Sequence, residues 1–336
     1  AGAAKPLIWA GGGVISAEGS EALTKLAEFL QAPVVTTAEG KGAISDHHPL
    51  SLGALWLRND TIAKKEFGHD VILAVGTRLV TSQWLDGQKV VQIDIDPEEI
   101  GRGYENTMRV EGDAKLTMEN LLTALAAKTS AKEDNSAAID AQKTQRDSDI
   151  IKVEPQKELL EAVRKGMPED GILISGMTQL GYYSRAHFPV YEPRTFITSS
   201  YSGNLGYAYP TALGAKVAQP DKAVVCISGD GGFMFNSQEM STAVAHNINV
   251  VVVVFNDNAY GNVKRDQMNQ FSGRTIGVEL HNPDFVKLAE AYGAIGFVAN
   301  GPAELESTLK KALTLNAPVL IEVPVGAMPS PFFKNP

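Results

Sequence analysis

Five consecutive valines, Val250 to Val254, followed by Phe255, form the longest uninterrupted apolar run in this 336-residue chain. A strand apolar at every position has no face left for water, and such strands belong to parallel sheets covered by helices on both sides. The run ends in Asn256-Asp257-Asn258-Ala259-Tyr260-Gly261, and an earlier apolar strand ends in Gly229-Asp230-Gly231-Gly232-Phe233. A strand, glycine-rich turn, helix, second strand and polar turn, in that order, open both turns at the same edge of one sheet. Ligands of open parallel sheets bind at that carboxyl edge, so Asp230 and Asp257 can converge there on a metal-bound anion. A hard Mg²⁺ ion takes few protein oxygens and completes its shell with ligand phosphates, while glycine amides at the next helix start can receive a diphosphate.

The same rhythm runs through the rest of the chain. Short apolar runs (Leu7 to Ala10, Val71 to Val75, Val90 to Ile95) alternate with amphipathic stretches such as Glu21 to Leu30. From Lys128 to Asp149 the composition turns polar and predicts a linker with at most a solvated helix. Beyond Pro155 a second alternation predicts strands near Gly171 to Ile174, Ala223 to Ile227, Val250 to Phe255 and Val319 to Val323. The expected architecture is α/β, with two three-layer domains built on mostly parallel sheets: residues 1–127, a polar linker over 128–154, and residues 155–330.

The paired turns resemble the cofactor motif of thiamine diphosphate enzymes, in which a Gly-Asp-Gly triplet precedes a pair of asparagines by about thirty residues. The resemblance implies that the side chains of Asp230 and Asp257 and the Ala259 carbonyl hold Mg²⁺. Asp257 stands where asparagine is commonest, which keeps an oxygen ligand and adds a negative charge. Gly203-Asn204-Leu205-Gly206-Tyr207-Ala208-Tyr209-Pro210 is similar to the segment that bends the cofactor in this family. There Leu205 would wedge between the thiazolium and aminopyrimidine rings and the Gly203 carbonyl would accept a hydrogen bond from the amino group. The other reading of Leu205, a core residue at a helix start, stays open. Thr178 and Gln179, just after an apolar strand, lie where the family sets polar groups near the diphosphate, although such residues also cap helices. The cofactor-binding set so implied is Thr178, Gln179, Gly203, Leu205, Gly229, Asp230, Gly231, Gly232, Asp257, Ala259 and Tyr260.

Residues from about Pro155 to Val325 look like the diphosphate-binding domain of the acetolactate synthase, benzoylformate decarboxylase and pyruvate oxidase group. Residues from about Lys5 to Ala127 resemble its middle domain, through Ala10-Gly11-Gly12-Gly13-Val14, Gly40-Lys41-Gly42-Ala43 and Gln92-Ile93-Asp94-Ile95-Asp96-Pro97. The folds implied are a Rossmann-like middle domain and a thiamin-diphosphate-binding fold. The activity implied is a thiamine diphosphate- and Mg²⁺-dependent carbon–carbon lyase or carboligase acting on 2-oxo acids, in a homodimer or homotetramer. Members of the group usually carry, ahead of the middle domain, a pyrimidine-binding domain that supplies the activating glutamate. The expectation is therefore an incomplete part, inactive alone, either cut from a longer polypeptide or completed by another subunit, with its catalytic residues unassigned.

Some positions depart from acetohydroxyacid synthases. Asp266 stands near the place of a tryptophan that contributes to second-substrate preference. The flavin-associated segments are replaced by Gly53-Ala54-Leu55-Trp56-Leu57 and Arg78-Leu79-Val80-Thr81-Ser82, which argues against FAD. Gly11-Gly12-Gly13 could cradle a nucleotide phosphate or simply make a tight strand-to-helix turn.

A net charge of −9 argues against general nucleic-acid binding, which needs basic patches. An apolar run of six residues falls far short of the roughly twenty that cross a bilayer. The single cysteine, Cys226, lies inside an apolar strand and reads as a small buried hydrophobe, with a reducing cytoplasm as the expected compartment. Two further functions stay open: a noncatalytic subunit that keeps cofactor binding, and a nucleotide-dependent oxidoreductase. The second is disfavoured because Gly11, Gly13 and Ser16 do not complete a Gly-x-Gly-x-x-Gly fingerprint.

Overall fold

A computed structural model describes residues 2–55, 68–80, 87–149 and 152–331. The chain forms two compact units, one of residues 1–150 with 189–194 and one of residues 151–188 with 195–336.

The first unit holds strands β1 (Pro6–Ala10), β2 (Val34–Thr36), β3 (Ser51–Ala54), β4 (Val71–Val75), β5 (Lys89–Asp94) and β6 (Thr107–Glu111), and helices α1 (Gly12–Ser16), α2 (Ser20–Leu30), α3 (Ala114–Ala126) and α4 (Ser136–Asp149). The strands form one sheet in the order β3-β2-β1-β4-β5-β6, and every pairing is parallel. All five residues of β1 are buried, because the strand is central and covered on both faces. Helix α2 turns Leu23, Leu26 and Ala27 inward at helical spacing and stops at Gln31, whose left-handed φ of 45° ends the hydrogen-bond ladder. Gly11 and Gly13 sit where the loop after β1 meets the loop after β4. A Cβ on Gly13 would come 2.6 Å from the Gly76 Cα, and Gly13 N–H donates to the Gly76 carbonyl at 3.0 Å. The glycine cluster thus lets two backbones touch. Helix α4 is largely solvated, as its polar composition dictates, yet its one large apolar residue, Ile139, is fully buried in the core of this unit. Residues 189–194 belong here through Val190, whose N–H donates to Asp46 Oδ2 at 2.8 Å, and Tyr191, which stacks on His47 at 3.9 Å.

The second unit holds helix α5 (Gln156–Gly166), β7 (Ile172–Ser175), α6 (Gln179–His187), β8 (Phe196–Thr198), α7 (Ala208–Ala218), β9 (Val224–Gly229), α8 (Asp230–Met234), α9 (Glu239–Ala245), β10 (Val251–Asn256), α10 (Gly261–Gln270), α11 (Phe285–Tyr292), β11 (Ile295–Val298), α12 (Pro302–Leu313) and β12 (Val319–Pro324). Its sheet runs β11-β12-β10-β9-β7-β8, again all parallel. The valine run is β10, buried at every residue and flanked by β9 and β12. On one face Val252 and Val254 pack with Phe233, Phe285 and Leu320, and Phe233 meets Tyr209 and Phe285 edge to face. From β7 the chain steps outward to β8 and then returns to place β9 on the other side of β7. That reversal opens a crevice at the carboxyl ends of β7 and β9.

Candidate functional site

A cleft of about 220 Å³ lies at that crevice in the second unit. Its walls come from the turns that follow five strands: Met177, Thr178 and Gln179 after β7, Gly203 and Leu205 after β8, Gly229 to Gly232 at the end of β9, Asp257 and Ala259 to Val263 after β10, and Val325 and Met328 after β12. All eleven residues named from the sequence as cofactor-binding line this one cleft.

Asp230 opens α8 and is 2 % exposed. Burial pushes its carboxyl pKa upward against hydrogen bonds from Asn282 and from backbone amides that pull it down. Asp257 is pushed up to about 6, first by burial and then by the charge of Asp230. The two carboxylates therefore share a poorly hydrated corner and repel one another. The turn that carries Asp257 is held rigid. Asn258 adopts a left-handed φ of 55°, Ala259 N–H returns to Asp257 Oδ1 at 3.2 Å, and an antiparallel bridge joins Ala259 to Glu279. Tyr260 N–H donates to the Val278 carbonyl and Leu280 N–H to the Asn258 carbonyl, both at 2.8 Å.

That bridge also delivers Asn282. Its Nδ2 donates to Asp230 Oδ2 at 2.6 Å and to Asn256 Oδ1 at 2.8 Å, and Asn256 donates onward to Glu322 at 2.7 Å. Asn282 thus ties the ends of β9, β10 and β12 together. It was not among the residues named for the site, because its contact with Asp230 spans 52 positions of sequence and no local pattern marks it.

Glycine is required where the walls close. A Cβ at Gly231 would stand 2.5 Å from Tyr260 Cε1 and 3.0 Å from Leu280 Cδ1, so a side chain there would collide with the opposite turn. Gly203 holds a φ of 55°, which L side chains seldom adopt. Leu205 is 37 % exposed, with its Cδ2 3.7 Å from the place a Cβ would take on Gly232. It stands in the cleft rather than in the core. Thr178 occupies the N-cap position of α6 in extended conformation, and its side chain makes no capping hydrogen bond. Gln179 is 6 % exposed and accepts from Arg265 at 3.1 Å. Cys226 is fully buried, and burial raises its thiol pKa, so it is an inert part of the strand.

Among the described residues, no group of three or more His, Cys, Asp or Glu side chains is placed to hold a metal ion, and no helix is long and apolar enough to cross a membrane. Of the two segments compared with flavin-associated stretches, positions 56, 57, 81 and 82 lie outside the described residues.

Comparison with known proteins gives two family matches. Residues 176–323 match the thiamine pyrophosphate enzyme C-terminal TPP binding domain, and residues 1–121 match the thiamine pyrophosphate enzyme central domain. Curated relatives include the "Probable acetolactate synthase large subunit" of Methanococcus aeolicus, 34 % identical over 96 % of this chain and 58 % of the relative. The protein of the same name from Methanocaldococcus jannaschii is 36 % identical over 97 % of this chain and 58 % of the relative. The acetolactate synthase large subunit of Haemophilus influenzae is 33 % identical over 96 % and 59 %, respectively. The chain thus spans somewhat under three fifths of the length of the relatives it matches.

Proposed function

The chain belongs to the thiamine pyrophosphate enzymes, and from that premise we propose that it forms the diphosphate-binding half of an acetolactate synthase-like active site that acts on 2-oxo acids. The observation that carries this is the convergence of a buried and a half-buried carboxylate, a glycine turn and an exposed leucine on one cleft at the strand reversal. When bound, the cofactor supplies a thiazolium carbon that breaks and makes carbon–carbon bonds beside a carbonyl.

The residues present fit the cofactor and its metal. Two carboxylates whose pKa values are raised first by burial are hard oxygen donors that a Mg²⁺ ion would stabilise, with the Ala259 carbonyl as a third protein ligand. A site this poor in protein ligands suits Mg²⁺, which keeps phosphate and water oxygens in its shell. Gly229, Gly231, Gly232 and Tyr260 would line the diphosphate, with Thr178 and Gln179 on the facing turn. Leu205 and the Gly203 carbonyl would orient the rings. Asn282 would hold Asp230 in place.

Calorimetric titration with thiamine diphosphate tests this reading. The native assembly is expected to bind it in a Mg²⁺-dependent manner, and Asp230→Asn to lose at least about a hundredfold in affinity through the lost metal charge. Equal binding with and without a divalent metal would sink the proposed metal role.

The same reading extends to a homodimer or homotetramer in the cytoplasm, which sedimentation and fractionation would test. We also propose that the first unit does not serve flavin. Flavin absorbance that copurifies with the protein would overturn this.

A further inference from the structure

We propose that Arg265 is a positioning residue for the cofactor's diphosphate: it locks Gln179 and Asn262 so that their amide N–H groups serve an anion, and it sets a positive charge behind them. The inference rests on the cofactor reading above. Arg265 follows Asn262 by three positions on α10, so the two share one helix face. Its guanidinium donates to Asn262 Oδ1, to Gln179 Oε1 at 3.1 Å and to the Met328 carbonyl at 3.3 Å. Gln179, Asn262 and Met328 all line the cleft.

A guanidinium has donors only. Each amide that meets Arg265 must therefore offer its oxygen and turn its NH₂ group elsewhere. Gln179 Nε2 reaches Asn262 Oδ1 at 3.5 Å, and Asn262 Nδ2 has no acceptor among the described residues. Two amides that could have faced the cleft in either sense are fixed by their oxygens, which leaves the second N–H of Gln179 and the NH₂ of Asn262 for an anion.

The charge of Arg265 is also unspent. All its hydrogen-bond partners are neutral oxygens, and the adjacent Asp266 carboxylate acts on it only through space. Asp230 and Asp257 line the same cleft, so an arriving diphosphate meets two negative side chains. A guanidinium held against Gln179 and Asn262 offsets part of that repulsion.

The anion at this corner is the diphosphate rather than the carboxylate of a 2-oxo acid, because the two amides stand beside the metal turns. Gln179 follows Thr178, whose Oγ1 is 3.2 Å from where a Cβ on Gly229 would lie, and Asn262 follows Gly261, which abuts the Asp257 carboxylate. Gly203 and Leu205 come from a different turn, the one after β8.

The test is calorimetry on the native assembly with Mg²⁺, comparing thiamine diphosphate with thiamine, which lacks the anion. Arg265→Gln is expected to weaken thiamine diphosphate by about tenfold or more and thiamine by less than about twofold. Arg265→Lys, which keeps the charge but not the fork, should recover part of the loss. Asn262→Asp retains the contact with Arg265 but replaces the donor by an oxygen, and should weaken thiamine diphosphate to a similar degree with an unchanged melting temperature. An unaltered ratio of the two affinities in Arg265→Gln and Asn262→Asp would overturn the inference and leave the cofactor reading intact. So would unchanged cofactor affinity with a raised KM for the 2-oxo acid, which would assign the corner to the substrate's carboxylate. A wild-type protein that binds neither thiamine compound would sink both.

Discussion

Leu205 separates a structural from a functional role more cleanly than other residues of the cleft. A core leucine truncated to alanine costs about 2–5 kcal/mol, but Leu205 is 37 % exposed and has little packing to lose. Leu205→Ala is therefore expected to melt within a few degrees of the wild type while turnover in the native assembly drops by about tenfold or more, the cost of a ring pair no longer held in its reactive geometry. Parallel melting and kinetic measurements check this, and a large loss of stability with normal turnover would return Leu205 to the core reading. His69 gives a different residue-scale prediction. It is 7 % exposed in the first unit, with Nδ1 3.3 Å from the Lys5 carbonyl, and burial lowers its pKa below 6.5. The unfolded chain then binds the proton more tightly than the folded one, so stability rises with pH. On acidification the loss begins near pH 6.5 and grows until the folded-state pKa is passed. Denaturation midpoints of the first unit between pH 7 and 5 should fall, and His69→Gln should flatten that slope.

At the scale of elements, the interior strands could be read from the sequence because burial on both faces leaves a run of apolar residues. Val71 to Val75 is a strand over the span expected, and the valine run became β10 within one residue. The edges could not be read that way. β6 carries Arg109 and Glu111 and pairs with β5 alone, so half its surface is solvated and its pattern is mixed; β8 has three residues and β3 four. The site followed the same division. Residues in the turns after strands announced themselves through glycine and aspartate, whereas Asn282 and Arg265 act across 52 and 86 positions and carry no local signature. The polar stretch 128–149 was legible as a solvated segment, and the exception, Ile139, is a single side chain whose burial depends on what the helix lands against. The central place of β10 makes Val252 a test of the element. It is fully buried in the core, and Val252→Ala is expected to cost about 2 kcal/mol through lost burial and a residual cavity, read from a chemical denaturation midpoint. A change below about 0.5 kcal/mol, the size of an ordinary surface substitution, would mean that β10 is not the packed centre of its unit.

For the whole molecule, each unit owns a sheet and a core, and the cleft is built entirely from the second. A ligand that binds only the folded form of one unit raises the stability of that unit by mass action, by about 2.7 kcal/mol at a hundredfold excess over Kd. The sequence supplies a built-in label for the other. Of the three tryptophans, Trp9, Trp56 and Trp84, Trp9 is buried in the core of the first unit. With Trp56 and Trp84 replaced by Phe, tryptophan fluorescence follows the first unit through Trp9, and calorimetry follows both. Thiamine diphosphate with Mg²⁺ is expected to raise a calorimetric transition that tryptophan fluorescence does not report, and Val252→Ala is expected to lower that same transition. A fluorescence-detected midpoint that climbs with cofactor as steeply as the calorimetric one would show that the two units unfold as a single cooperative body, and the stabilisation would then be shared by both cores rather than confined to the sheet that carries the site.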